Sequence, residues 1–249
     1  MHKFGLALLA LALPALAQSN IQNALLEETT LRSGTASQFE QAQKEYCAAV
    51  VKGGAPACLV FSTATFGQSD RYFTLLPFAS FIHYDQGKYT DKGLTPEEAK
   101  ALSARRVPPI ASNHESAIAL HKDLSIPATV SNAEYPLNYV TEYQLRTGAT
   151  DEFLKFISKD LLPAARKTGA LEFEVFTFTL GSSPDRVFIV TRLKNFAQLD
   201  QPDPIEAALS GVRRSQWLAG MAANVQHRET YIMRYRADIS ADPRTPPSK

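Results

Sequence analysis

The residues that most often announce chemistry are scarce in this chain of 249 residues, which holds two cysteines, five histidines and one tryptophan. Cys47 and Cys58 have no pair of histidines nearby, which argues against a zinc site. No G-x-S-x-G elbow, P-loop or dinucleotide fingerprint occurs, and His114-Glu115 lacks a second histidine at zinc-protease spacing. An excess of either charge is missing too, with 26 Lys+Arg against 25 Asp+Glu. Proteins that live on phosphate backbones carry a basic surplus, so nucleic acid is not expected as a partner. Nor is there a polybasic membrane patch, and past residue 17 no apolar run is long enough to cross a bilayer.

What is present begins with a short basic start, Met1 to Lys3, then "FGLALLALAL" and "PALA". This order of regions predicts a secretory signal peptide over residues 1–17, cut after Ala17, and hence a secreted or periplasmic protein. Its removal takes one lysine and no acid, leaving a formally neutral chain with no membrane contact. An oxidising compartment permits a Cys47–Cys58 disulfide; the alternative is two small buried apolar side chains.

"LRSGTASQF" at 31–39 returns as "LRTGATDEF" at 145–153. At the same offset of 114, Phe61 meets Val175 and Gly67 meets Gly181; one residue is then gained, and Phe73 meets Phe188 and Phe81 meets Phe196. Identities this ordered indicate two copies of one unit. The second copy reads as a strand from Asn138, a helix with Phe153, Ile157 and Leu161 on one face, and strands 171–180 and 186–193 around "GSSPD". A helix over 204–223 and a last strand over 229–239 complete it, and the first copy follows the same order with a helical region over 95–113. Two βαββαβ units imply an α+β fold in which two ferredoxin-like plaits cover each other as an intrachain α/β barrel. The divisions are 1–17 signal peptide, 18–126 first repeat, 127–137 linker, 138–240 second repeat and 241–249 disordered tail.

"YQLRTGATDEFLKFISKDLLPAARKTGA", followed by two strands around a short turn, resembles the NIPSNAP-like branch of the dimeric α/β-barrel superfamily. The resemblance covers about Val140 to Gln198 and, more faintly, the first copy. It implies the barrel fold; the superfamily's members range from cofactor-free monooxygenases and isomerases to haem enzymes, so it fixes no chemistry.

Polar groups out of place on strands and helices are the candidate site residues. His83 follows the third strand, while His114 and His227 stand near equivalent points before the last strand of each copy, as proton carriers or as helix-end caps. Glu172 and Glu174 share a strand face with Phe176 and Phe178. A carboxyl drawn into such surroundings has a raised pKa and can act as a base; the alternative is an exposed strand start or pairing with Arg192 or Arg234. At offset 114 the first copy has Cys58 and Val60 there, so such a site would exist in one half only. The arginine pairs 105–106 and 213–214 suit an anion site or a solvated helix face. The catalytic candidates are therefore His83, His227 and Glu174, and the ligand-binding candidates Tyr72, Tyr231, Tyr235, His114 and Arg192. No metal and no cofactor is expected, since haem would require an exposed histidine in a wide pocket.

Three functions fit. The preferred one is an exported barrel that binds a small apolar or aromatic molecule. The second is a cofactor-independent monooxygenase or isomerase, and the third a structural or assembly module. Because the pseudo-dimer is internal, the expected state is a monomer.

Overall fold

The computed structural model describes residues 21–132, 134–201, 204–209 and 211–243. The signal-peptide expectation and the end of the tail lie outside them. The first run of elements is β1 (Ile21–Leu31), α1 (Ala36–Lys52), β2 (Leu59–Thr63), β3 (Arg71–Phe78), the short helices α2 (Ile82–Asp85) and α3 (Tyr89–Gly93), α4 (Pro96–Arg106) and β4 (Ile110–His121). The second is β5 (Leu137–Leu145), α5 (Thr150–Phe156), a π-helical turn (Ile157–Leu161), α6 (Leu162–Lys167), β6 (Phe173–Leu180), β7 (Arg186–Leu193), α7 (Pro204–Ala208), α8 (Val212–Asn224) and β8 (Val225–Tyr235).

All eight strands close into one antiparallel barrel in the order β1-β3-β2-β8-β5-β7-β6-β4. Each run supplies four adjacent strands in the same order, β4-β1-β3-β2 and β8-β5-β7-β6, and the seams are β2 with β8 and β6 with β4. Closure leaves no free sheet edge. Period-2 alternation sends one set of side chains inward and the other toward the helices. Phe39, Gln43, Cys47 and Val50 recur at helical spacing on α1 and pack with Val60, Tyr72 and Leu76 outside the barrel. Phe153, Ile157, Leu161 and Ala165 do the same on the other side with Phe173, Val175 and Trp217.

The backbone bonding of the two runs repeats. Leu31 and Leu145 donate to Asp70 and Asp185, Arg32 and Arg146 to Pro109 and Asn224, and Ala55 and Ala170 to Val50 and Ala165. Correspondence shifts from 114 to 115 inside the helix, where the π turn at Ile157–Leu161 takes up one residue that α1 lacks. The gain therefore falls earlier than the sequence matches place it. Phe61 corresponds to Phe176, not Val175, and Glu172 and Glu174 correspond to Ala57 and Leu59, not Cys58 and Val60.

Several boundaries also move. The helix expected to reach residue 113 ends at Arg106, because Pro108 and Pro109 cannot continue it, and β4 starts at Ile110. The helix expected over 204–223 breaks at Gly211, whose φ of 59° lies in the left-handed region. The 127–137 segment is no free linker: the Thr129 amide donates to the Leu171 carbonyl, next to the Ile126–Phe173 bridge. Ala241, expected at the start of a disordered tail, pairs with Cys58 through both backbone bonds.

Candidate functional site inside the barrel

The inward side chains make two distinct layers. One end of the barrel is closed by charge. Arg71 Nη2 donates to Glu28 at 2.6 Å, Arg186 Nη1 donates to the same carboxylate at 2.8 Å, and Arg186 Nε donates to Glu142. Glu28 and Arg71 belong to the first run, Glu142 and Arg186 hold the corresponding positions in the second, and the four formal charges cancel. The guanidinium groups lie over Phe73 and Phe188, at 4.7 and 4.9 Å from the ring centroids. Burial pushes the Glu28 carboxyl up, but Arg186 and Arg71 outweigh it and hold its pKa below the usual value.

Beyond this layer lies a cavity of about 280 Å³, to which every one of the eight strands contributes a wall residue. That is just under the usual range for small-molecule sites. Phe73 and Tyr231, stacked at 5.6 Å and 7°, form part of its wall with Phe61, Phe176 and Phe188. Half-buried Asn132 and exposed Gln22 mark its rim, and Ala128 from the 127–137 segment joins them. That segment is therefore part of the wall, which a sequence reading as a spacer missed.

The polar groups gather on one side. Glu172, 2% exposed, accepts from Arg192 Nε, and Arg192 Nη1 donates to Asn132. Glu174 faces the cavity beside them. Burial, then the charge and hydrogen bond of Glu172, raise its pKa to about 8 against the pull of Arg192, so it is mostly protonated at neutral pH. Asn138, 2% exposed and opposite Arg192 on the neighbouring strand, has no partner for its side-chain nitrogen. In the first run the corresponding positions are Ala57, Leu59, Pro77 and Ala24. The cavity thus has one polar wall and one hydrocarbon wall.

Solved structures with this architecture exist. An anthrone oxidase-like protein superposes with a TM-score of 0.61 at 10% identity, over 92% of this chain and 96% of that one. A protein of Fusobacterium nucleatum subsp. nucleatum provisionally named a monooxygenase gives 0.57 at 10% identity, over 86% and 92%. One of Lactobacillus acidophilus, provisionally named likewise, gives 0.55 at 10% identity, over 88% and 95%. What they share with this chain is the fold. It is that of the dimeric α+β barrels, here closed within one chain. No family model matches the sequence, and no curated protein does.

Of the sequence candidates, the barrel gathers Glu174, Arg192 and Tyr231 around the cavity. Tyr235 packs inside against Phe61 at 5.5 Å but does not line it. The others lie elsewhere. Tyr72 faces α1, where its hydroxyl donates to Glu40 at 2.6 Å, so strand parity puts it on the helix side. His83 sits in α2, stacked on Tyr89 at 3.6 Å, with burial lowering its pKa. His114 and His227 are both exposed and lie within β4 and β8, not before them. They are not equivalent: His114 pairs with Glu28 and His227 with Gln144, two residues further along. No histidine among the described residues lines the cavity, so a histidine-ligated group would find no ligand there. Arg105 pairs with Glu45 at the surface, whereas half-buried Arg106 is engaged by Glu27 and Gln43, so neither is poised for an anion. Cys47 and Cys58 are joined in a disulfide that ties α1 to the residue before β2. Among the described residues no cluster could hold a metal ion, and no helix is long and apolar enough to cross a membrane.

Sequence reasoning missed Asn138. Its signal was the inward parity it shares with Val140 and Glu142, readable only once the sheet is known to close.

Proposed function

We propose that this protein binds a small, largely apolar or aromatic molecule inside the barrel. The observation that carries the reading is the two-sided cavity, in which aromatic and aliphatic walls meet a single polar wall. Pockets of this make-up take an apolar body and orient it by a few polar contacts. A barrel serving only as an assembly module would be filled across its whole length, as it is at the charged end. The test is to purify the mature protein from its native compartment and identify co-purifying small molecules by mass spectrometry, recording a visible spectrum alongside. A stoichiometric apolar compound supports the reading; a bare protein that also takes up no aromatic probe refutes it.

A second reading, cofactor-independent monooxygenase or isomerase chemistry, is favoured by Glu174. A carboxyl whose pKa is about 8 among aromatic side chains is matched to proton removal near neutral pH. The names carried by the structural neighbours agree with it. In this reading Glu174 is the base, and His83 and His227 have no part. The NIPSNAP-like placement rests on residues 140–198 and, more faintly, on the first copy. Export through the signal peptide, two repeats from one duplicated unit and a monomeric state complete the proposal, supported respectively by the disulfide, the repeated backbone bonding and the barrel's closure within one chain.

A further inference from the structure

The two ends of the barrel differ in how their carboxyl groups are balanced. At the closed end Glu28 and Glu142 stand against Arg71 and Arg186, two carboxylates with two guanidinium groups. At the cavity Glu172 and Glu174 stand against Arg192 alone, the one cation among the described wall residues. The other polar residues of the wall are uncharged amides and Tyr231, whose phenol burial keeps neutral. Pro77 holds the first-run position that corresponds to Arg192, so no second cation comes from that side. The cavity end therefore carries one carboxyl more than it has cations to balance.

That carboxyl is Glu174. Arg192 is committed elsewhere, with Nε donating to Glu172 and Nη1 to Asn132 and the Tyr135 carbonyl. No N–H among the described residues donates to Glu174, whose hydrogen-bonding partner is the Glu172 carboxyl. Neither Glu174 oxygen is among the buried atoms left without a partner, so both reach accessible surface in a residue that lines the cavity. With Glu174 ionised, two neighbouring carboxylates share one guanidinium, and the pair holds a proton instead.

The surroundings define what could take the place of that proton. A ligand anion would add a third negative charge beside an arginine that Glu172 already engages. A bare calcium or magnesium ion would find too few oxygens. An ammonium group at Glu174 makes the charges cancel as they do at the closed end. Phe176 follows Glu174 on the same strand face, and Ala24, Leu26 and Leu59 stand on the first-run side, so the rest of the ligand meets only hydrocarbon and aromatic surface.

We propose that the cavity binds apolar amines as their ammonium ions, the nitrogen donating to Glu174 in place of the proton this carboxyl otherwise holds, with the hydrocarbon body against the first-run wall. The displaced proton leaves to solvent. This assignment rests on the binding reading above and gives its ligand a charge.

Three probes on one tetralin frame test it by calorimetry: 2-aminotetralin, a cation, 2-tetralol, a neutral molecule, and tetralin-2-carboxylate, an anion. At pH 8.5, where Glu174 is mostly ionised and the amine is still protonated, the amine is expected to bind about tenfold more tightly than the alcohol, the worth of a hydrogen bond to a charged group. Below pH 7 its affinity should fall by about tenfold per unit, with about one proton released for each amine bound, while that of the alcohol stays level. Repeating the titration in buffers of different ionisation heat counts the protons. Glu174→Gln should abolish both the amine's advantage and its proton release. Should that variant fail to fold, the pH series and the proton count on the unmodified protein decide. Alcohol or carboxylate binding as tight as that of the amine at pH 8.5, an amine affinity that is level with pH, or a Glu174→Gln protein that keeps the preference overturns the ammonium assignment and leaves apolar binding standing. Failure of all three probes to bind overturns the binding reading, and the ammonium assignment with it.

Discussion

Glu174 and Leu59 hold the same register in the two hairpins that the chain repeats: Glu174 lies opposite Val190, Leu59 opposite Leu75, and both side chains line the cavity. One is a carboxyl and the other a hydrocarbon. The barrel is nearly symmetric in its backbone and, at the cavity, asymmetric in its chemistry.

The first consequence concerns pH. Glu174 has a folded pKa of about 8 against an ordinary 4.5, so between those values the folded protein holds a proton that the unfolded chain has released. Its contribution is fully present below the unfolded pKa and is lost as pH rises toward 8. Burial depresses the pKa of His121, which gives a slope of opposite sign below about pH 6.5. The comparison belongs above that. From pH 6.5 to 8.5 the urea midpoint of the unmodified protein should fall more steeply than that of Glu174→Gln. Parallel curves would show that Glu174 is already ionised in the folded state.

The charged end makes a separate prediction. Arg186 is shared by Glu28 and Glu142, so Arg186→Met takes from half-buried Glu142 its ion-pair partner and leaves Glu28 with Arg71 alone. Breaking one side of such a network costs about 3–5 kcal/mol. Chemical denaturation should show a loss of that order. Arg105→Met, at a surface pair with Glu45, should change stability by less than about 1 kcal/mol.

The disulfide closes a short loop between α1 and β2, with the two cysteines 11 residues apart. Replacing both Cys47 and Cys58 by alanine should lower stability by about 3 kcal/mol, and reductant should do nothing further to the variant. A thiol titration that finds two free sulfhydryls in the purified protein would remove the bridge from the account.

Much of this architecture was legible in the sequence because it depends on local periodicity. The two "LR-x-G" turns, the Phe39 and Phe153 helix faces and the alternating strands all carry their period on the surface of the sequence. The closure of eight strands followed from strands apolar on both faces. Site residues were harder, for a physical reason. Whether Tyr72 points at a helix and Tyr231 into the barrel is decided by one residue of strand register, which is set by pairing with neighbouring strands far along the chain. The histidine pair failed the same way, since His114 and His227 look equivalent only if the shift of 115 between β4 and β8 is missed. Glu174 was found because a charged residue between phenylalanines is conspicuous at any register. Asn138 was not conspicuous, and only a closed cavity turns its unpaired nitrogen into a signal.

The closure of both runs within one chain also predicts that the protein is a monomer, and light scattering should return the mass of a single chain. Twice that mass would mean that a surface outside the barrel also assembles.

The central claim, that the barrel holds a small apolar molecule, is tested most directly by filling the cavity. Leu59→Trp places an indole on the hydrocarbon wall, into space that already exists, so the circular dichroism spectrum should match that of the unmodified protein. Calorimetry with tetralin is then decisive: the account predicts saturable one-to-one binding to the unmodified protein and none to Leu59→Trp. Equal binding to both would put the ligand somewhere other than the barrel and contradict the account.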